Sequence, residues 1–350
     1  MLFYCLAFVF SLIISFFVTP QVKRLALRSG AIDRPNPRRI NSHPVPSSGG
    51  AAIYLAFMFT LLLFADFNAR VGALMLGGTF IFAVGLIDDI YELSPRMKLL
   101  GQILAAGVLL LGGIKIEFIT NPLGGMLYLG YWGLPLTVFW VVGITNTVNL
   151  IDGLDGLAAG VATIAVLTLF FVSLQEGQAV AALPAVILAG SALGFLRYNF
   201  HPAEIFMGDS GSLFIGYLLA AISVVGALKS AAAVTVVVPV IALGIPIFDT
   251  VYAIIRRLYN NRPVGEADHG HLHHRLLALG WNQTEVVLIV YGVSIVLGIS
   301  ALIINSTALQ SGVAVLLLVV AGLVAWAWKV GVFTVELPRE GDTLEEGNFF

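Results

Sequence analysis

Runs of uncharged, apolar residues recur along the whole chain, each near the length that crosses a bilayer. They fall roughly at 2–20, 49–65, 71–87, 99–114, 133–149, 157–173, 179–196, 211–228, 231–255, 284–305 and 309–328. A helix needs about 20 apolar residues to span the hydrocarbon, and only helices or closed barrels satisfy their backbone there. The 350 residues are 59% hydrophobic and 11% charged, with a mean hydropathy of +0.96, which excludes an ordinary soluble domain. The pattern predicts an all-α polytopic membrane protein of about eleven transmembrane helices, a single domain over 1–330. The tail VELPREGDTLEEGNFF is acidic, and residues 331–350 are expected to be disordered. The first run lacks the basic start and small-residue exit of a cleaved signal peptide and reads as a retained helix.

Eleven spans make the connections alternate between sides. Lys23, Arg24, Arg28, Arg34, Arg38, Arg39, Arg96, Lys98, Arg197, Arg256, Arg257, Arg262 and Arg275 then share one side, against Arg70, Lys115 and Lys229 on the other. The positive-inside bias puts the first group in the cytoplasm, the N-terminus outside and the C-terminus inside. The net charge of −2 says little about partners, and no nucleic-acid partner is expected. Cys5, the single cysteine, lies within the first run and is expected to serve packing. Among the outer connections, 115–132 reads as a small β-hairpin around Pro122 to Gly125.

The polar clusters all fall on the predicted cytoplasmic connections. These are Asp33, the pair Asp88 and Asp89, NTVNLIDGLDG, NFHPAEIFMGDSGS and ADHGHLHHR. A shared cytoplasmic site is the economical reading. An aspartate at mid-membrane costs about 2.5–3.5 kcal/mol, so Asp88 and Asp89 belong at the interface, either simply solvated or in a site. Successive helical residues point about 100° apart, which favours two different roles over joint chelation. Lys98, beyond Pro95, can return to the same site as a phosphate-binding point charge.

Asn146, Asn149, Asp152 and Asp155 recur every three residues, and two Asp-Gly pairs signal a break or turn. Their oxygens suit Mg²⁺, a hard cation that takes one or two protein ligands plus substrate phosphate; helix capping is the alternative. Asp209 stands between Gly208 and Gly211 at a helix start, which fits either a metal-phosphate site or an N-cap. His269, His271, His273, His274 and Arg275 admit anion or substrate binding, a solvated loop, or zinc. Phe206 either stacks on a nucleobase or is buried. Asp249 lies inside the ninth run behind Pro246, which is expected to kink that helix. It is an intramembrane functional candidate or a hydrogen-bonding support for the kink.

Together DRPNPRRIN…PVPSSGG, GLIDDIYELSPRMK, NTVNLIDGLDGLAAG, RYNFHPAEIFMGDSGS and HGHLHHR resemble the polyprenyl-phosphate N-acetylhexosamine-1-phosphate transferase family. HLHHR is more similar to the branch that uses UDP-N-acetylglucosamine than to the one that uses UDP-N-acetylmuramoyl-pentapeptide. The resemblance implies a multi-pass enzyme of the cell (cytoplasmic) membrane with its site on the cytoplasmic face. Such an enzyme moves a sugar 1-phosphate from a UDP-sugar to undecaprenyl phosphate, using Mg²⁺ or Mn²⁺ and releasing UMP. Cell-wall teichoic acid linkage and O-antigen or lipopolysaccharide initiation are the usual pathways, and a homodimer is an assembly to test. The resemblance also implies roles. Asp209 and Asn149 would ligate the metal, and Asp88 and Asp89 would be catalytic. Lys98 would lie near the phosphates, and Phe206 with Asp152 and Asp155 near the uridine. His271, His273, His274 and Arg275 would surround the pyrophosphate, and Asn146 joins the substrate-binding set. Asn41 and Ser47-Ser48 depart from the family's usual residues. A secondary transporter, the rival of another class, would carry its ionisable groups near mid-membrane on broken, repeat-related helices.

Overall fold

The computed structural model describes residues 1–33, 43–120, 126–227, 237–259, 272–307 and 309–330. The chain enters through a long helix, α1 (Leu2–Ser29), ended by Gly30 in the left-handed region at φ 78°. A short antiparallel pair follows, β1 (Ile32–Asp33) with β2 (Val45–Pro46), and then α2 (Gly50–Phe64), α3 (Ala69–Tyr91) and α4 (Pro95–Leu111). Strands β3 (Phe118–Thr120) and β4 (Met126–Tyr128) pair antiparallel as the expected hairpin, whose tip lies outside the described residues. Beyond it come α5 (Gly133–Leu150), α6 (Leu157–Gln175), α7 (Ala179–Asn199) and α8 (Gly208–Ala227). The last helices are α9 (Val237–Ala242), α10 (Gly244–Tyr259), α11 (Leu272–Ala278), α12 (Gln283–Ser306) and α13 (Leu309–Val330).

Among the described residues, 7 helices are long and apolar enough to cross a membrane: α1, α3, α5 with its preceding turn, α6, α7, α8 and α12. The expected spans at 49–65 and 99–114 appear as α2, of 15 residues, and α4, of 17. At 1.5 Å per residue these reach only about 23 and 26 Å. The expected ninth span is divided. Residues 228–236 lie outside the described part, and the rest forms α9 and α10, separated at Leu243. Pro246 sits in the first turn of α10, where its missing N–H costs nothing, so it starts a helix where a kink within one was expected.

The packing follows membrane rules, with small residues between helices and large apolar ones facing outward. On α1 the buried stripe is Ala7, Ser11, Ser15, Thr19, Val22 and Ala26, while Phe3, Leu6, Val9, Ile13 and Phe17 are exposed. That stripe meets α7, where a side chain added at Gly190 or Gly194 would strike the α1 backbone. The centre is α8, against which α2, α3, α5, α6 and α7 pack. Gly77 admits the Tyr217 ring, whose hydroxyl donates to the Ala73 carbonyl at 3.2 Å. Gly85 abuts the backbone of Asp209, and Gly216 abuts that of Thr145. These close approaches bring the ends of α3, α5 and α8 to one place.

Candidate active site

The α3–α4 turn orients Asp88. Glu92 closes α3 in the left-handed region at φ 51°, with its N–H on the Asp88 carbonyl at 2.9 Å. This lets the Leu93 N–H donate to Asp88 Oδ1 at 2.7 Å. Pro95 opens α4, and one turn on, Lys98 Nζ donates to Asp88 Oδ2 at 3.0 Å and to Asp209 Oδ2 at 2.7 Å. Burial disfavours the ammonium, but Asp209 and Asp88 outweigh it and raise the Lys98 pKa above its ordinary value.

Asp89 points elsewhere, as helical spacing requires. Its carboxylate accepts from the backbone N–H groups of Asp209 at 2.7 Å and Ser210 at 3.2 Å, so it caps α8 from the neighbouring helix. Gly208 makes room for it. Its φ is +73°, and an added Cβ would lie 2.7 Å from both Asp89 oxygens. From α5, Asn149 Nδ2 donates to Asp209 Oδ1 at 3.0 Å and to Ser212 Oγ at 2.8 Å. Side chains from α3, α4, α5 and α8 thus converge on Asp209.

This cluster lies in a cavity of about 680 Å³ whose wall includes Asp88, Asp89, Lys98, Asp152, Asp155, Phe206, Asp209 and His274. The backbone of Phe206 is held from both sides, its N–H on the Pro46 carbonyl at 2.8 Å and its carbonyl on the Gly49 N–H at 2.9 Å. His273 is buried, with Nε2 facing Gly153, and its ring lies 4.2 Å from that of His274. Asp249, only 4% exposed, accepts from the Leu272 N–H at 2.8 Å and ties α10 to the start of the histidine segment.

Five expected positions lie apart from the cavity wall or beyond the described residues, two of them being Asn149, bonded to Asp209, and the buried His273. Asn146 pairs reciprocally with Gln102, at 2.7 and 3.1 Å, and joins α5 to α4. The Arg275 guanidinium lies over the Tyr252 ring, 5.4 Å from its centre. His271 lies outside the described residues. Sequence reading passed over His201, which lines the cavity bonded to Asp155, 46 residues away. No local spacing signals such a pair.

The donor set at this point is one of hard oxygens, with Asp88 and Asp209 already close enough to share the one ammonium of Lys98. Among the described residues no three His, Cys, Asp or Glu side chains form a group that could hold a metal ion unaided. The oxygens of Asp88 and Asp209 are of the hard kind that Mg²⁺ takes together with water and substrate phosphate.

A family model described as glycosyl transferase family 4 matches residues 71–227, the stretch that carries the cluster around Asp209. The chain is 40% identical over 302 residues to the probable undecaprenyl-phosphate N-acetylglucosaminyl 1-phosphate transferase of Bacillus subtilis, covering 86% of this chain and 84% of that protein. It is 36% identical over 349 residues to the decaprenyl-phosphate N-acetylglucosaminephosphotransferase of Mycolicibacterium smegmatis, covering 89% and 86%. The phospho-N-acetylmuramoyl-pentapeptide-transferase of Caldanaerobacter subterraneus subsp. tengcongensis is 30% identical over 295 residues, covering 81% and 91%. A membrane-embedded helical bundle with this cluster and these relatives is a glycosyl-type transferase. The chain belongs to the polyprenyl-phosphate N-acetylhexosamine-1-phosphate transferase family, with higher identity to these two N-acetylglucosaminyl relatives than to the pentapeptide one.

Proposed function

We propose that the protein transfers N-acetylglucosamine 1-phosphate from UDP-N-acetylglucosamine to undecaprenyl phosphate at the cytoplasmic face of the cell membrane. The products are the undecaprenyl-diphosphate-linked sugar and UMP, the start of a cell-envelope polysaccharide. The observation that carries this reading is Lys98 Nζ, bonded at once to Asp88 and Asp209 within the cavity. Joining an anionic lipid to an anionic nucleotide requires neutralised charge and in-line positioning above all, and a cation set between two carboxylates beside a helix N-terminus offers the means. The names of the two more similar relatives support N-acetylglucosamine as the sugar.

In this reading a lipid phosphate oxygen bonds to the β-phosphorus of the UDP-sugar. The bond from that phosphorus to the bridging oxygen breaks, and its electron pair leaves on UMP. Asp88 takes the proton of the lipid phosphate when that group carries one. Lys98 draws the diphosphate to the same point. Asp89 takes the N–H groups of Asp209 and Ser210 and so keeps α8 in place, with the Asp209 side chain turned toward the phosphates. Asp209 would hold Mg²⁺ together with Asn149, whose amide presents oxygen after a half-turn, and the ion would neutralise charge on the diphosphate and the leaving UMP.

The test is incubation of purified protein with undecaprenyl phosphate, Mg²⁺ and a panel of UDP-sugars, with UMP as the readout. UMP release with UDP-N-acetylglucosamine is expected, and release with UDP-N-acetylmuramoyl-pentapeptide alone would move the protein to the other branch. No release with any sugar would overturn the reading.

A further inference from the structure

Asp155 ends the Asp-Gly turn between α5 and α6, and His201 begins the connection between α7 and α8. One carboxylate oxygen of Asp155 accepts twice, from His201 Nδ1 at 2.8 Å and from the Ala203 N–H at 3.0 Å. The Asp155 side chain is only 15% exposed, whereas that of His201 is 40% exposed, and both line the cavity. The carboxylate therefore faces protein, and the imidazole faces the space where substrate binds.

The pair is rigidly supported. Gly156, next to Asp155, has φ +75°, and an added Cβ would meet the Phe200 ring at 3.2 Å, so the turn packs on the residue before His201. The Tyr291 hydroxyl donates to the Gly156 carbonyl at 2.5 Å. On the other side, the Glu204 N–H bonds the Tyr198 carbonyl at 2.8 Å, and Lys23 Nζ bonds Glu204 Oε2, also at 2.8 Å. Among the described residues, no hydrogen bond engages His201 Nε2.

A carboxylate on Nδ1 selects the tautomer with its proton there, so that in the neutral ring Nε2 is an acceptor. This discriminates between the two substrates. An ionised lipid phosphate presents only acceptors, while a nucleotide sugar presents hydroxyl, imide and acetamide donors. We propose that His201, oriented by Asp155, accepts a hydrogen bond at Nε2 from the nucleoside or sugar part of the nucleotide-sugar substrate. Asp155 is then a positioning residue that acts through His201. The inference rests on the transferase reading above and adds a residue that discriminates the nucleotide sugar from the lipid.

Steady-state UMP release in nanodiscs tests it, with UDP-N-acetylglucosamine and undecaprenyl phosphate varied in turn. His201→Ala and His201→Phe are expected to raise KM for the UDP-sugar about tenfold while KM for the lipid moves less than twofold. His201→Gln, whose amide oxygen reaches the place of Nε2, should recover most of that loss and shows that the fold survives a change there. Asp155→Asn should raise the same KM, and the double variant Asp155→Asn with His201→Ala should be no worse than His201→Ala alone. An unmoved UDP-sugar KM, or equal rises for both substrates, overturns the His201 contact. Additive losses in the double variant overturn the positioning role of Asp155. A wild-type protein that releases no UMP would instead sink the transferase reading, and the His201 contact with it.

Discussion

Lys98 serves folding and chemistry through the same two bonds. Its ammonium keeps Asp88 and Asp209 from repelling each other, and the side chains of all three are less than a third exposed, at 27%, 10% and 26%. Lys98→Met should cost about 1–3 kcal/mol of stability and lower the UMP release rate at least a hundredfold, read by thermal unfolding and steady-state assay. The pH dependence has a definite sign. The pKa of Lys98 is raised in the folded protein, so its stabilisation is complete below the unfolded value, near ~10.4, and disappears as pH climbs through the folded one. The gap between wild type and Lys98→Met should therefore persist above neutral pH and close only in strong alkali. On the acid side it should narrow as Asp88, whose pKa burial pushes up to about 6, takes on a proton and stops pairing with Lys98. A gap that already closes as pH rises from 6 to 8 would mean that another group carries the effect. The residues Asp88, Asp89, Lys98, Asn149 and Asp209 stand out in the sequence because charge is scarce among apolar runs. Their pairing is not legible there, since Asp209 lies 111 residues from Lys98. Separations of 46 and 44 residues likewise hide His201 behind Asp155 and conceal that Asn146 is committed to Gln102.

At the scale of helices, composition foretells where apolar segments occur but not where backbones touch. Membrane helices are hydrophobic all round, so periodicity is weak and the inward face is marked only by small residues. Pro246 marks an irregularity in the ninth run that reads as a kink where the structure has a break between α9 and α10, whereas the shortness of α2 and α4 is hidden within long apolar stretches. Gly208 shows how a contact between elements becomes a site. Any side chain there meets the Asp89 carboxylate and also pays for a left-handed backbone, a cost of about 1–2 kcal/mol by itself. Gly208→Ala should loosen the start of α8 from α3, lower the melting temperature and abolish turnover. Gly107→Ala, on α4 with nothing within 4 Å of its added methyl group, should leave activity and melting temperature near wild type. Equal behaviour of the two variants would show that the Asp89 cap on α8 does not matter.

For the molecule as a whole, the described connections after α3, α5 and α7 bring Asp88, Asp155 and Asp209 to the wall of one cavity. Those connections share a side of the membrane, and the proposed function requires that side to be the cytoplasmic one. Helix α5 runs toward that side in the same direction as α3 and α7. Its C-terminal Asn149 bonds Asp209 at the cavity, and Tyr131, just before its first residue, stands about 27 Å from that end along the axis. Tyr131 is 91% exposed and Tyr91, at the end of α3, is 75% exposed, so both accept a probe. In a Cys5→Ser background, Tyr131→Cys should react with a membrane-impermeant maleimide on intact cells, and Tyr91→Cys only after permeabilisation. Labelling of both from outside, or the reverse order, would put the cavity on the wrong face for a cytoplasmic nucleotide sugar. The same experiment at other connections would count the spans, because each added crossing inverts the labelling of everything beyond it. Eleven crossings require a residue introduced after α13 to label only from within.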